Sequence, residues 1–199
     1  VLPIILDLTG RKVLVVGGGR IAFRKAKAIA DEGADVTIIS PDFVDDFSAI
    51  PNATLIRRKF EHGDTRGFQL VITATGDHAV DQIIYDEANS LGTWTNSADD
   101  PDRCSFYLAA THRDGNVIVA VSTEGKSPAL ATHLRNAIAK QLPKNLASIA
   151  LDLDRQRSEI KNQGVSTESI NWSRRVLEAI SGPKTSQKRL ALFKKAPRN

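Results

Sequence analysis

Apolar positions follow two different rhythms along this chain. Val13, Leu14, Val15 and Val16 form an unbroken apolar run. Such Val- and Leu-rich runs mark strands buried on both faces. Gly17, Gly18 and Gly19 follow at once, and then Ala22, Ala26, Ile29 and Ala30 repeat at helical spacing, with Gly33 as a C-terminal stop. The strand pattern returns at Asp35–Ile39, Ala53–Arg58, Gln69–Ala74 and Thr93–Asn96. A second helix is expected from an N-cap at Asp77, with Val80, Ile83, Ile84, Ala88 and Leu91 on its apolar face and Gly92 at its end. The piece between Asp45 and Pro51 is too short for a full helix. Strands alternating with helices predict a parallel, doubly wound α/β sheet.

The pattern changes after Pro101. Ser105–Ala110 and Asn116–Ser122 read as strands joined by a turn over Thr111–Gly115. Ser127 is an N-cap and Pro128 suits the first helical position, with Leu130, Leu134, Ala137, Ile138 and Leu142 on one face. Two strands and a helix are too few to bury a core alone, which predicts a dimer. The remainder reads as helical. Leu146, Ile149, Ala150 and Leu153 share one face; Ile170, Leu177 and Ile180 share another, after a break at Gly164 and a start at Ser166 or Thr167. Trp172 is expected to pack, and Leu2, Ile4 and Leu6 to lie against the first domain. The domains drawn from this are 1–112, a dinucleotide-size α/β domain; 113–145, a small α+β dimerisation segment; and 146–199, a C-terminal helical region with a basic tail.

Composition narrows the class. The chain has 199 residues and is 41% hydrophobic, enough for one sizeable core and a smaller one. Cys104 is the single cysteine, which excludes an intrachain disulfide framework and a multi-cysteine metal site. That suits a reducing, cytoplasmic setting. No apolar run approaches the roughly 18 residues that span a bilayer, and the opening VLPIILDL is too short for a secretory signal. His62, His78, His112 and His133 lack zinc-type spacing, so no resident metal is expected. The net charge is +4, and the stretch from Ser181 to Asn199 carries Lys184, Lys188, Arg189, Lys194, Lys195 and Arg198 with no acid. It reads either as a solvated tail or as an attractor for a polyanion. No recognition motif or aromatic platform supports a nucleic-acid partner. Arg155, Arg157, Arg174 and Arg175 either bind substrate carboxylates or face solvent.

The glycines carry the first candidate chemistry. Gly17, Gly19 and Ala22 fill the G-x-G-x-x-A pattern between a strand and a helix, the context of a Rossmann dinucleotide fingerprint. The first glycine allows the tight turn, the second lets a pyrophosphate approach, and the small third residue packs helix on strand. The helix N-terminus then faces the phosphate. The bland alternative is a glycine-rich turn that binds nothing. After the second strand, Ser40, Pro41 and Asp42 stand where an acid normally holds the adenosine ribose, and no Arg adjoins them. This favours NAD over NADP. Ligands of such sheets bind beyond the carboxyl ends of the strands. Gly17–Ala22, Ser40–Asp42, Thr75–Asp77 and Asn96–Pro101 therefore converge on one edge. Asp99, Asp100 and Asp102 arrive with the last of them. Asp99 reads either as a general base or as an ordinary Asp-rich turn before proline.

Taken in order, Leu2-Pro3-Ile4, VLVVGGGRIAFRKA from Val13, NSADDP from Asn96 ahead of Ser105-Phe106, and VSTEGKSPALA from Val121 resemble the precorrin-2 dehydrogenase family, which includes the dehydrogenase and ferrochelatase module of sirohaem synthases. The resemblance covers most of residues 2–145. It implies NAD-dependent oxidation of precorrin-2 to sirohydrochlorin in sirohaem and porphyrin-type biosynthesis, with ferrochelatase (lyase) activity as a second activity found in some members. It also implies a homodimer built through the middle segment. The family's important aspartate falls on Asp99. Arg20, Ile21, Pro41 and Asp42 join Gly17, Gly18, Gly19, Ser40 and Thr75 around the cofactor. Asn96, Ser122, Thr123, Gly125, Lys126 and Ser127 are expected beside the tetrapyrrole. Thr123 stands where bifunctional relatives often carry Ser, so the hydroxyl is kept. The competing class is a non-catalytic NAD(H)-sensing regulator that meets its partner through the basic tail.

Overall fold

The computed structural model describes residues 1–181. The basic stretch expected beyond Ser181 lies outside the described residues. The chain divides into two compact units: Val1–Leu108 with Glu124–Lys126, and Ala109–Thr123 with the described chain from Ser127 onward.

The first unit is a five-stranded parallel sheet. Its strands are β1 (Lys12–Val16), β2 (Asp35–Ile39), β3 (Thr54–Ile56), β4 (Leu70–Thr73) and β5 (Trp94–Ser97), in spatial order β3-β2-β1-β4-β5. Helix α1 (Arg20–Ala30) leaves β1, and α2 (His78–Ser90) leaves β4. Alternation within β1 explains why both faces are covered. Val13 and Val15 pack with Ala22, Ala26 and Ile29 of α1, while Leu14 and Val16 pack with Ile84 and Ala88 of α2. The order reverses between β1 and β4, so the switch point where such sheets bind ligands lies beyond Val16 and Thr73.

No helix joins β2 to β3. A 3-10 turn, Asp45–Ala49, buries Phe47 against Phe23 and Phe43, with ring centroids 5.4 and 5.1 Å apart in edge-to-face geometry. Of the expected Leu2, Ile4 and Leu6 packing, Leu2 and Ile4 are exposed, while the half-exposed Leu6 borders a concavity with Leu8, Phe68 and Leu91. Anchoring begins later, where Leu8 joins the core and Gly10 N–H donates to Gly33 O at 2.9 Å.

The expected strand at Ser105–Ala110 is also corrected. Residues 104–106 instead run along the edge of β5. Asn96 and Cys104 form an antiparallel bridge, Ser105 N–H donates to Thr95 O at 2.8 Å, and Phe106 packs on the core. The second unit therefore starts its hairpin later, with β6 (Ala110–Asp114) antiparallel to β7 (Val117–Val121). Its turn is the two-residue Gly115-Asn116, not Thr111–Gly115. Helix α3 (Pro128–Ala139) lies on this hairpin, with Ser127 Oγ accepting from Leu130 N as its cap. Then α4 (Leu146–Asn162) pairs with α5 (Trp172–Ser181), and the Trp172 indole N–H donates to Thr167 O at 2.9 Å. Among the described residues no helix is long and apolar enough to cross a membrane.

Candidate active site

A cleft of about 880 Å³ opens at the carboxyl edge of the first unit's sheet. Gly17, Gly18, Gly19, Arg20, Ile21, Ser40, Pro41, Asp42, Thr75 and Asp99 all line it. The glycine turn is sterically determined. Gly17 has φ +129°, and a Cβ there would stand 2.3 Å from Ala74 O. A Cβ on Gly18 would stand 1.8 Å from Asp42 O and 2.7 Å from Ser40 Oγ. Gly19, by contrast, faces open space. It is the N-cap of α1, no side chain caps that helix, and its first turn carries no acid. Uncapped N–H groups, the positive helix end and a cradle that only hydrogen atoms leave open are what a pyrophosphate requires. The residues present thus fit a dinucleotide. Ala22, the third fingerprint residue, is fully buried beneath the turn.

Beside the glycine turn, Ser40 is buried and Pro41 and Asp42 are exposed. Phe43, Val44, Lys59 and Phe60 join them. Lys59 and Phe60 are site residues that the sequence argument missed. The signal was there, since the segment after β3 ends on the same sheet edge as the others. It is held firmly. Arg58 bonds Asp64 through both nitrogens at 2.6 and 2.7 Å, which keeps the Asp64 carboxyl below the ordinary range. Glu87, buried on α2, accepts from Gly63 N at 2.7 Å, from Thr65 N at 3.1 Å and from the Thr65 hydroxyl.

Thr75 opens α2. Its hydroxyl donates to Asp81 Oδ1 at 2.8 Å and accepts from Asp77 N at 3.0 Å, while Asp77 caps Ala79 N and Val80 N. Asp99 sits just past β5, exposed and on the cleft wall. Beneath it runs a half-buried polar chain. Lys25 Nζ donates to Asn96 Oδ1 at 2.7 Å, and Asn96 Nδ2 donates to Phe106 O at 2.9 Å. Burial pushes the Lys25 ammonium down and the Cys104 thiol up. Asn96, expected at the tetrapyrrole, is 4% exposed and is not among the residues lining the cleft, and its amide bonds Lys25 and Phe106.

The remaining expected residues are divided between the units. Gly125 and Lys126 belong to the first. Gly125 has φ +78°, and a Cβ there would meet the Tyr107 ring at 3.1 Å and Pro101 Cβ at 3.4 Å, which brings this segment against the Asp99 loop. Ser122, Thr123 and Ser127 belong to the second unit. There Ser127 N donates to Thr123 Oγ1 at 3.0 Å. Of the arginines, Arg174 pairs with Glu178, and Arg175 lies over the Trp172 ring and donates to Gln156. Among the described residues no group of three or more His, Cys, Asp or Glu is arranged to hold a metal ion.

Fold and cleft together define an NAD(P)-binding α/β protein of Rossmann type. A family model described as "Putative NAD(P)-binding" matches residues 4–110, and one described as "Sirohaem biosynthesis protein central" matches residues 114–141. "Siroheme synthase 2" of Aeromonas hydrophila subsp. hydrophila is 36% identical over 176 residues, 87% of this chain and 37% of that one. "Siroheme synthase" of Methylococcus capsulatus is 40% identical over 158 residues, 76% of this chain and 33% of that one. The solved structure of "SirC, precorrin-2 dehydrogenase" superposes with a TM-score of 0.75 at 24% identity, covering 98% of this chain and 100% of that one. The chain belongs to the family whose model is described as "Putative NAD(P)-binding", and it is similar to the siroheme synthases along most of its length. It spans little more than a third of the length of the curated relatives it matches.

Proposed function

We propose that this chain oxidises precorrin-2 to sirohydrochlorin with NAD, in sirohaem biosynthesis. The observation that carries the reading is the presence of the Asp99 carboxylate on the wall of the same cleft as the Gly17–Gly19 turn. NAD, when bound, supplies the acceptor for the hydride that leaves the macrocycle. Gly17, Gly18, Gly19 and the start of α1 at Arg20 and Ile21 hold its pyrophosphate through backbone N–H groups. Ser40, Pro41 and Asp42 receive the adenosine ribose, and the acid at Asp42 favours NAD over NADP. Thr75 shapes the floor between them. Asp99 takes the proton that departs with the hydride, so the substrate loses two electrons and two hydrogens and gains one double bond.

Gly125, Lys126, Ser122, Thr123 and Ser127 are proposed substrate contacts. A net charge of +4 favours approach of a polycarboxylate. We assign the segment 113–145 to a homodimer interface, because α3 leaves an apolar stripe exposed. The setting proposed is cytoplasmic, in keeping with the single cysteine.

The test is anaerobic incubation of enzymatically generated precorrin-2 with the protein and NAD, followed by absorbance. Sirohydrochlorin formed only when both are present supports the reading. Adding ferrous iron to the product then tests chelatase activity against a protein-free control. NAD binding without oxidation overturns the dehydrogenase and leaves a sensor.

A further inference from the structure

Lys25 lies on α1, one turn beyond Ile21, and is half-buried. Its hydrogen-bond partner is the neutral amide oxygen of Asn96, 2.7 Å away. An ammonium withdrawn from water onto a neutral partner costs free energy, so the arrangement calls for a reason. The reason lies in what Asn96 holds. Its Nδ2 donates to Phe106 O at 2.9 Å and reaches Cys104 Sγ at 3.5 Å. Asn96 and Cys104 are also the two ends of an antiparallel bridge, and beside it Ser105 N–H meets Thr95 O.

These bonds close the neck of a loop, residues 97–103, which carries Asp99. The loop is fastened inside and out. Cys104 Sγ–H points to the carbonyls of Ser97 and Asp100, at 3.4 and 3.3 Å, and Arg103 Nε donates to Gln82 of α2 at 2.8 Å. Lys25 brings α1 into this neck, and the N-terminus of that same helix faces the cleft beside Gly19. One rigid element thereby touches both the dinucleotide end of the site and the base of the Asp99 loop. The charges around Lys25 are those of Arg24 and Asp99, and the Asp99 carboxylate is near enough to favour the ammonium.

We propose that Lys25 is a positioning residue: by holding the Asn96 amide it fixes the neck of the 97–103 loop, and so the place of the Asp99 carboxylate in the cleft. The kinetic consequence rests on the dehydrogenase reading above; the structural consequence does not. Lys25 is not among the residues lining the cleft, so its loss should act on turnover through Asp99 and leave NAD affinity alone.

The experiment compares Lys25→Met, Asp99→Ala and the double variant in the full chain. Lys25→Met should lower kcat by roughly tenfold or more, while the Kd for NAD stays within about twofold, as expected for an effect confined to the reacting centre. In the Asp99→Ala background the same change should have almost no further effect, because residues that act as one unit are non-additive. Amide hydrogen exchange over residues 97–104 should speed markedly in Lys25→Met while Val13–Val16 stays protected. Equal losses in both backgrounds, unchanged kcat, or unchanged exchange in the loop would each overturn the proposal. If Lys25→Met does not fold, Lys25→Leu, which likewise removes the N–H donor, is judged by the same criteria. Should the wild-type protein fail to oxidise precorrin-2, the dehydrogenase reading falls, and the exchange comparison still decides whether Lys25 holds the loop.

Discussion

The carbonyl oxygen of Asp42 occupies the space into which any side chain on Gly18 would have to project, only 1.8 Å from an added Cβ. The turn after β1 and the loop after β2 are therefore fitted to each other through backbone, and Val44 N–H closes the fit by donating to Gly18 O at 3.0 Å. Gly18→Ala must push the two apart. Overpacking of this kind costs about 1–3 kcal/mol, and the loss should appear in thermal melts as well as in NAD affinity. Gly19→Ala should behave differently. Its backbone is extended and its surroundings open, so the fold should melt as before while NAD binding weakens by roughly tenfold or more, about 1.4 kcal/mol, through collision with the pyrophosphate. Calorimetric melts and NAD titrations of the two variants separate the effects.

Asp99→Asn keeps the shape of the side chain and removes its ability to take a proton. Turnover of precorrin-2 should fall by about 10²–10⁴, the usual span for a general base. NAD affinity should change little. Single-turnover absorbance with saturating NAD checks the first statement and a fluorescence titration the second. Full activity in this variant would remove Asp99 from the base role.

The sheet was legible because its signals are local. Val13–Val16 with the glycines after it could be little else, and Asp35–Ile39 matches its strand to the residue. What stayed hidden depends on contacts between distant segments. Ser105–Ala110 looks like a strand and has strand chemistry, yet Thr95 and Asn96 capture its first residues along the edge of β5. Gly18 occupies a variable position of the fingerprint, and only the approach of Asp42 shows that a side chain cannot fit. Lys59 could have been found from the sheet edge on which its segment ends, but not the way Arg58, Asp64 and Glu87 hold its loop. The pattern at Asn96 showed a strand end on the ligand edge, but not that its amide bonds Lys25 and Phe106, which lie far from it in sequence.

Cofactor choice should turn on two opposite charges in the cleft, Asp42 and Lys59. An acid at the ribose end repels a 2′-phosphate. Asp42→Asn should narrow the preference for NAD over NADP by roughly tenfold, or about 1.4 kcal/mol. Lys59→Met should move the ratio the other way by weakening NADP. Parallel titrations of both dinucleotides at low and moderate salt make the comparison, and the effect should shrink as salt rises.

Glu87 gives the pH dependence. Burial by itself would raise its pKa, but the Thr65 hydroxyl, the Gly63 and Thr65 N–H groups and His62 together outweigh burial and hold it below the ordinary value of 4.5. The folded pKa lies below the unfolded one. The stabilisation is therefore fully present above about pH 4.5 and is lost as pH falls through the folded value. Glu87→Gln should cost about 2 kcal/mol at neutral pH, the range for hydrogen bonds to a charged group. The gap from wild type should close in acid. Denaturant melts at pH 7 and at successively lower pH test this, and NAD affinity should fall in the variant because the same loop presents Lys59 and Phe60 to the cleft.

The last expectation concerns α3. Leu130, Leu134 and Ile138 recur every fourth residue and are 49%, 41% and 39% exposed in the single chain. Large side chains at this spacing make a continuous ridge, not scattered apolar surface, and a ridge on a small hairpin-and-helix unit is what a second copy would cover. Leu134→Glu places a charge in the middle of the ridge. If the ridge is the dimer contact, the variant should elute and scatter light as a monomer at concentrations where the wild type is a dimer, because an unpaired charge buried between copies costs several kcal/mol, on the order of 3–5. The first unit should be untouched, so NAD affinity should survive. A wild-type protein that is already monomeric, or a Leu134→Glu variant that still dimerises, would move the interface elsewhere.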